Sequence, residues 1–121
     1  MLRFAILIHD HPFLHWDLLV EREGTLRSWR LRESPERWLL SASPAMLIAE
    51  GIANHRLEYL DYEGPVSRER GLVQRWDSGD VEWLEELPQT IRLKLYGSRL
   101  RGELKLTQAE VGQVWSVGLV R

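Results

Sequence analysis

Short alternating runs, cut at close intervals by turn residues, restrict this chain more than any other feature. Glu23-Gly24, Gly64-Pro65, Ser78-Gly79 and Gly97-Ser98 punctuate it. Between them lie stretches whose apolar residues recur at every second position, the spacing of a half-buried strand. The pattern predicts strands over Phe4 to Ile8 (apolar on both faces), Leu14 to Glu21, Thr25 to Leu31, His55 to Tyr62, Leu72 to Trp76, Asp80 to Leu84, Thr90 to Tyr96, Arg99 to Leu106 and Val114 to Val120. Glu23-Gly24 reads as a hairpin turn, and Ser78-Gly79 and Gly97-Ser98 as tight turns. Helix is expected only over Ser34 to Ala53, where Ser34 can cap, Pro35 can take the first helical position and Trp38, Leu39 and Leu40 follow; a second short piece can begin after Ser43-Pro44. Frequent short strands of this kind imply a mainly β protein, a small closed β-barrel of about eight strands with one or two short flanking helices.

At 121 residues, 44% hydrophobic and 28% charged, the chain can bury one core, and residues 1–121 are expected to form one domain. Six tryptophans would supply much of that core. A stacking platform for bases is the other use for some of them. With no cysteine, disulfides and cysteine zinc sites are excluded, so any metal must be held by nitrogen and oxygen. The apolar run in MLRFAILIHD turns ionic at His9 and Asp10, too soon for a signal peptide or membrane span, so a cytoplasmic protein without membrane contact is expected. A net charge of −2 argues against coating duplex nucleic acid by charge alone.

Three of the four histidines fall within His9-Asp10-His11-Pro12-Phe13-Leu14-His15-Trp16-Asp17. On a strand, His15 and Asp17 project together while Trp16 and Leu18 point the other way. A turn at Pro12 and Phe13 can return His9, at the end of the preceding strand, to the side of His15. Two imidazoles and a carboxylate on one patch suit manganese, iron or zinc with positions left for water and substrate. A solvated polar turn is the alternative, and His11, beside Pro12, is not expected to be a ligand. In the second cluster, Asn54 to Gly64, an extended strand places His55, Leu57, Tyr59 and Asp61 on one face. A histidine and a phenol on one face can bind or protonate a phosphate oxygen. From the residues alone, an exposed edge strand with tyrosines packed on its neighbours is the better account of them.

The motifs H-D-x(4)-H-W-D-L-L-V-E, L-R-S-W, N-H-R-L-E-Y-L-D-Y-E-G, V-Q-R-W-D-S-G and the closing G-x-L-K-L…W-S-V-G-L-V-R run in order along nearly the whole chain. Together they resemble the 3′-phosphoesterase module of bacterial and archaeal DNA repair ligases, a family with stand-alone members of about this size. The resemblance implies a small β-barrel flanked by short helices. It implies a manganese-dependent enzyme that removes a 3′-phosphate or 3′-ribonucleotide from nucleic-acid ends, with zinc or another transition metal as other occupants. It further implies that His9, His15 and Asp17 are metal ligands, that His55 and Tyr59 face the scissile phosphate, and that the partners are a nucleic-acid 3′ end and a DNA ligase or polymerase. A monomer is expected.

The chain also departs from that pattern. Leu19 stands where the family has an arginine, Leu47 takes the place of a second arginine by ungapped counting, and Glu33 lies near the place of a lysine. Asn54 replaces an aspartate, and the loop after Glu63-Gly64 is shortened to Pro65–Gly71. These changes remove cations that would clamp a phosphate. Arg32, Arg56, Arg68 and Arg70 are the candidate replacements. The loss also leaves open a non-catalytic module that binds a nucleic-acid end or a repair partner.

Overall fold

The computed structural model describes residues 1–40 and 45–120. Its strands are β1 (Leu2–His9), β2 (His15–Arg22), β3 (Thr25–Leu31), β4 (Met46–His55), the two-residue β5 (Gly64–Pro65), β6 (Leu72–Glu86), β7 (Thr90–Gly97), β8 (Arg101–Gln108) and β9 (Val114–Val120). One turn of helix, α1 (Arg37–Leu40), and one 3-10 turn, Leu57–Leu60, complete the described elements. The strands pair in the order β1-β2-β3-β4-β9-β8-β7-β6, and β6 returns to pair with β1. Eight antiparallel strands therefore close a barrel with no free edge, and β5 lies outside the ring against Leu72 and Val73 of β6.

Alternation decides what fills the barrel. Phe4 and Ile6, Leu18 and Val20, Trp29 and Leu31, Leu47 and Ala49 point inward, and the remaining strands do the same. All six tryptophans belong to this interior: Trp29, Trp38, Trp76 and Trp115 are buried in it, and Trp16 and Trp83 pack against it. The outer face of the β1–β2–β3 wall carries a second, smaller apolar cluster of Ala5, Leu7, Leu19, Leu26, Leu60 and Val73. Both faces of β1 are thus buried, as its unbroken apolar run predicts. The 3-10 turn and the segment around β5 form the outer cover.

The turn at Glu23-Gly24 is present, both residues at positive φ (53° and 79°), the conformation a two-residue hairpin demands. The strand expected over His55 to Tyr62 is absent, since His55 ends β4 and Leu57–Leu60 is a 3-10 turn. Two further sequence expectations are corrected. Ser78-Gly79 is not a turn, because β6 runs unbroken through it. A Cβ on Gly79 would lie 2.1 Å from the carbonyl oxygen of Tyr96, so glycine there marks a close backbone approach. The pairing of β6 with β1 also slips by one residue nearby, between Ile6 and Leu7. The helix expected over Ser34 to Ala53 shrinks to α1, with the Ser34 hydroxyl accepting the Glu36 amide. Residues 41–44, including Ser43-Pro44, lie outside the described residues, and Met46–His55 is strand. Leu47 and Ala49 are buried while Met46, Ile48 and Glu50 are exposed. That period of two outweighs the helix propensity of Met, Leu, Ala and Glu, because β4 is needed to join β3 to β9.

The β7–β8 connection is held from inside. The buried Asp77 carboxylate accepts the backbone N–H groups of Ser98 (2.9 Å), Arg99 (3.1 Å) and Leu100 (2.8 Å). Truncating Asp77 strands these donors beside the core. Asp77→Ala is expected to lower unfolding stability on the order of 3 kcal/mol, read as a midpoint drop of roughly 10 °C in thermal denaturation. A shift of only a degree or two would show that water takes over the carboxylate's role.

Candidate active site

The site lies on the outer face of the β1–β2–β3 wall. Antiparallel pairing sets His9 opposite His15 and Leu7 opposite Asp17, and Asp17 opposite Arg30. His15 and Asp17 are buried. His15 Nε2 is 3.3 Å from Asp17 Oδ2, and His9 Nδ1 is 4.0 Å from the same oxygen. One donor atom from each of the three residues falls within 4.8 Å of the others.

The outer nitrogens of both rings fix their orientation. A carbonyl oxygen can only accept, so His15 Nδ1–H donates to the Phe13 carbonyl (2.8 Å) and His9 Nε2–H donates to the Arg70 carbonyl (2.8 Å). In neutral imidazoles the opposite nitrogens then present lone pairs toward a carboxylate oxygen. Such an arrangement is repulsive unless a proton or a metal cation lies between, and two backbone-oriented imidazoles with a carboxylate are a fitting donor set for a divalent ion. Asp17 Oδ1 is buried without a hydrogen-bond partner, its nearest cation being the Arg30 guanidinium at 3.7 Å. The expected turn at Pro12 and Phe13 is the element that brings these residues together. His11 lines the same cleft but stands outside the cluster, its ring 6.4 Å from that of His9.

His55 and Tyr59 also line this cleft, of about 270 Å³. They do not get there by sharing a strand face: β4 ends at His55, and Tyr59 sits in the 3-10 turn. The pairing of β4 with β3 shifts by one residue, so that Ser28 faces Ile52 but Leu26 faces His55. Without the shift, His55 would share the inward parity of Leu47 and Ala49. The bulge re-aims it outward, where Ser28 Oγ lies 2.8 Å from Nδ1. The Tyr59 ring meets the imidazole edge-on at 5.6 Å. Burial pushes the His55 pKa below its ordinary value, with the Asp17 carboxylate pulling against that shift. His55 is accordingly neutral at neutral pH.

The four arginines expected from sequence to replace lost cations are placed variously. Arg70 lines the cleft, but its guanidinium donates to the Ser67 carbonyl and hydroxyl. Arg56 pairs with Glu58 at 2.8 Å and borders a neighbouring hollow with Tyr59 and Tyr62. Arg68 is exposed in the loop. Arg32 lies 4.4 Å over the Phe13 ring. Leu19 is buried in the outer apolar cluster and Leu47 inside the barrel, so ungapped counting to Leu47 did not identify a cleft position. Glu33 pairs with Arg37. Sequence reasoning missed Arg30, which lines the cleft beside Asp17. The signal was available: a two-residue turn at Glu23-Gly24 pairs Arg22 with Thr25 and, five residues on, Asp17 with Arg30.

Residues 8–108 match the profile of the DNA ligase D 3′-phosphoesterase domain. The chain is 34% identical over 83 residues to the multifunctional non-homologous end joining protein LigD of Pseudomonas aeruginosa, an overlap of 65% of this chain and 9% of that protein. It is 30% identical over 119 residues to the LigD proteins of Mycobacterium bovis and Mycobacterium tuberculosis, covering 93% of this chain and 15% of theirs. The chain thus spans less than a sixth of the length of these relatives. Among the described residues, no helix is long and apolar enough to cross a membrane.

Proposed function

The chain belongs to the DNA ligase D 3′-phosphoesterase domain family, and from that membership we propose that it is a metal-dependent phosphoesterase that trims nucleic-acid 3′ ends in DNA repair. The substrate is a strand ending in a 3′-phosphate or a 3′-ribonucleotide, and manganese is the proposed ion. The observation that carries this reading is the convergence of His9 Nδ1, His15 Nε2 and Asp17 Oδ2, with His9 and Asp17 lining the cleft that His55 and Tyr59 also line and His15 buried behind them.

His9, His15 and Asp17 would hold the ion. When bound, it supplies charge neutralisation at the phosphoryl oxygens and a bound water of lowered pKa. The protein's own contribution is positioning. The Phe13 and Arg70 carbonyls hold the two liganding rings in place. Ser28 Oγ–H donates to the Leu26 carbonyl, so its oxygen accepts from His55 Nδ1–H. The opposite nitrogen of His55, kept neutral by burial, carries a lone pair that can take a proton from the attacking water, and Tyr59 offers a hydroxyl donor beside it. The apolar floor of Leu7 and Val73 lowers the local dielectric and strengthens each of these contacts. A nucleic-acid ligase or polymerase is the natural recipient of the 3′-hydroxyl end produced.

The test is a manganese-supplemented assay on a primer–template ending in a 3′-phosphate or 3′-ribonucleotide. Release of inorganic phosphate, or of the terminal nucleoside, is the expected result. A second reading draws on the apolar Leu19, buried where the family carries an arginine: a module that binds such ends without cleaving them. Tight binding with no product after prolonged incubation with manganese would establish that reading in place of the first.

A further inference from the structure

Arg30 is the cation that the sequence pattern did not foresee. It projects from β3 on the outer face of the wall, across from Asp17, into the cleft. Its Nε is buried without a hydrogen-bond partner, as is Asp17 Oδ1, although the two atoms are only 3.7 Å apart. That separation is an ion pair too long for a hydrogen bond. No other acceptor is bonded to this guanidinium among the described residues, so its rigid fork of donors is held near the metal ligands with its hydrogen-bonding capacity unspent. Phe13 fixes its direction: the Arg30 guanidinium lies 5.7 Å from the ring centroid, and Arg32 stacks on the same ring. The side chain remains about a quarter exposed at 24%, open to a ligand arriving from solvent.

A planar fork beside a carboxylate and two imidazoles is suited to the oxygens of a tetrahedral oxyanion. Leu19 and Leu47 cannot fill that role, being buried in the two apolar clusters, and the guanidinium of Arg70 is occupied by Ser67. We propose that Arg30 is the phosphate-binding residue of this site, taking the oxygens of a terminal 3′-phosphomonoester on its guanidinium and so selecting 3′-phosphate over 3′-hydroxyl ends. The inference rests on the phosphoesterase reading above and adds its substrate-discriminating residue.

The experiment measures binding of two fluorescent oligonucleotides of one sequence, ending in 3′-phosphate or 3′-hydroxyl. Manganese is present, and every protein also carries His55→Ala to slow turnover. Without a change at Arg30, the 3′-phosphate strand is expected to bind roughly ten- to a hundredfold more tightly, the range for one or two charge-assisted contacts. Arg30→Ala is expected to reduce that preference to about twofold or less while manganese content per chain stays the same. Arg30→Lys, a point charge without the fork, should recover part of it. Arg32→Ala should weaken both strands alike and steepen neither preference. A wild-type-sized preference surviving in Arg30→Ala overturns the assignment alone. Loss of manganese in Arg30→Ala overturns it too, since Arg30 would then act by holding Asp17. No preference in the protein retaining Arg30 overturns the assignment, while product release by the wild type in the manganese-supplemented assay decides the phosphoesterase reading separately.

Discussion

Alanine at His15 or at Asp17 is expected to strip the protein of bound divalent metal. Wild-type protein loaded with manganese or zinc and dialysed should retain one ion per chain by mass spectrometry, and each variant close to none. The expectation follows from geometry. A neutral His15 has its Nδ1–H committed to the Phe13 carbonyl, so Nε2 is the nitrogen turned to the site, and Asp17 Oδ2 is the atom both imidazoles approach. Removing either leaves at most two donors, and outer-sphere partners alone are worth about 10–100-fold in affinity. His9, more open to solvent, should cost less when replaced. Because both residues are buried, loss of metal through misfolding must be separated from loss of a ligand. Asp17→Asn keeps the shape, and a second readout serves the same end. At a hundredfold excess over its dissociation constant, manganese should stabilise the wild type by about 2.7 kcal/mol and the variants by nothing. Equal metal content in wild type, His15→Ala and Asp17→Asn would end the metal-centre reading.

How much of this could be read in the sequence depended on where local pattern agreed with the global fold. The β2–β3 hairpin was fully legible, because Glu23-Gly24 between two alternating runs signals a two-residue turn, which the positive φ values bear out, and alternation then fixes which side chains share a face. The barrel followed from the strand rhythm, and the grouping of His9 with His15 and Asp17 from a single turn. β4 was misread, because Met, Leu, Ala and Glu favour helix in isolation; only the need to bridge β3 and β9 makes them a strand. Ser78-Gly79 was misread for the opposite reason. A turn-like pair sits within a strand because a neighbouring carbonyl crowds that backbone. His55 and Tyr59 were placed together for the wrong reason. Their meeting depends on a bulge and a 3-10 turn, and neither a one-residue slip in register nor the docking of a covering segment leaves a trace in residue spacing. Arg30 was legible in principle, one register count from Asp17.

His55→Ala is expected to separate chemistry from metal binding. The mutant should keep its full complement of manganese yet trim 3′-phosphate ends slower by a factor on the order of 10² or more, the usual scale for a positioned acid–base or electrostatic group. The first half rests on position. His55 reaches the cleft from β4 across Ser28, outside the triangle of donor atoms formed by His9, His15 and Asp17. The second half rests on orientation. The bulge between β3 and β4 turns the ring outward, Ser28 holds Nδ1, and burial keeps the imidazole neutral, so one defined nitrogen is left for the attacking water. A ring so constrained loses little freedom on meeting it, which makes its contact worth more in the transition state than that of a mobile side chain. Tyr59→Phe removes one hydroxyl and keeps the edge-on packing with His55, so it should cost less, about tenfold. Ser28→Ala should fall between the two, acting only through the orientation of His55. If His55→Ala loses manganese along with activity, His55 belongs to the metal centre. If activity survives within a few fold of wild type, the phosphate is handled by the ion and Arg30 without it.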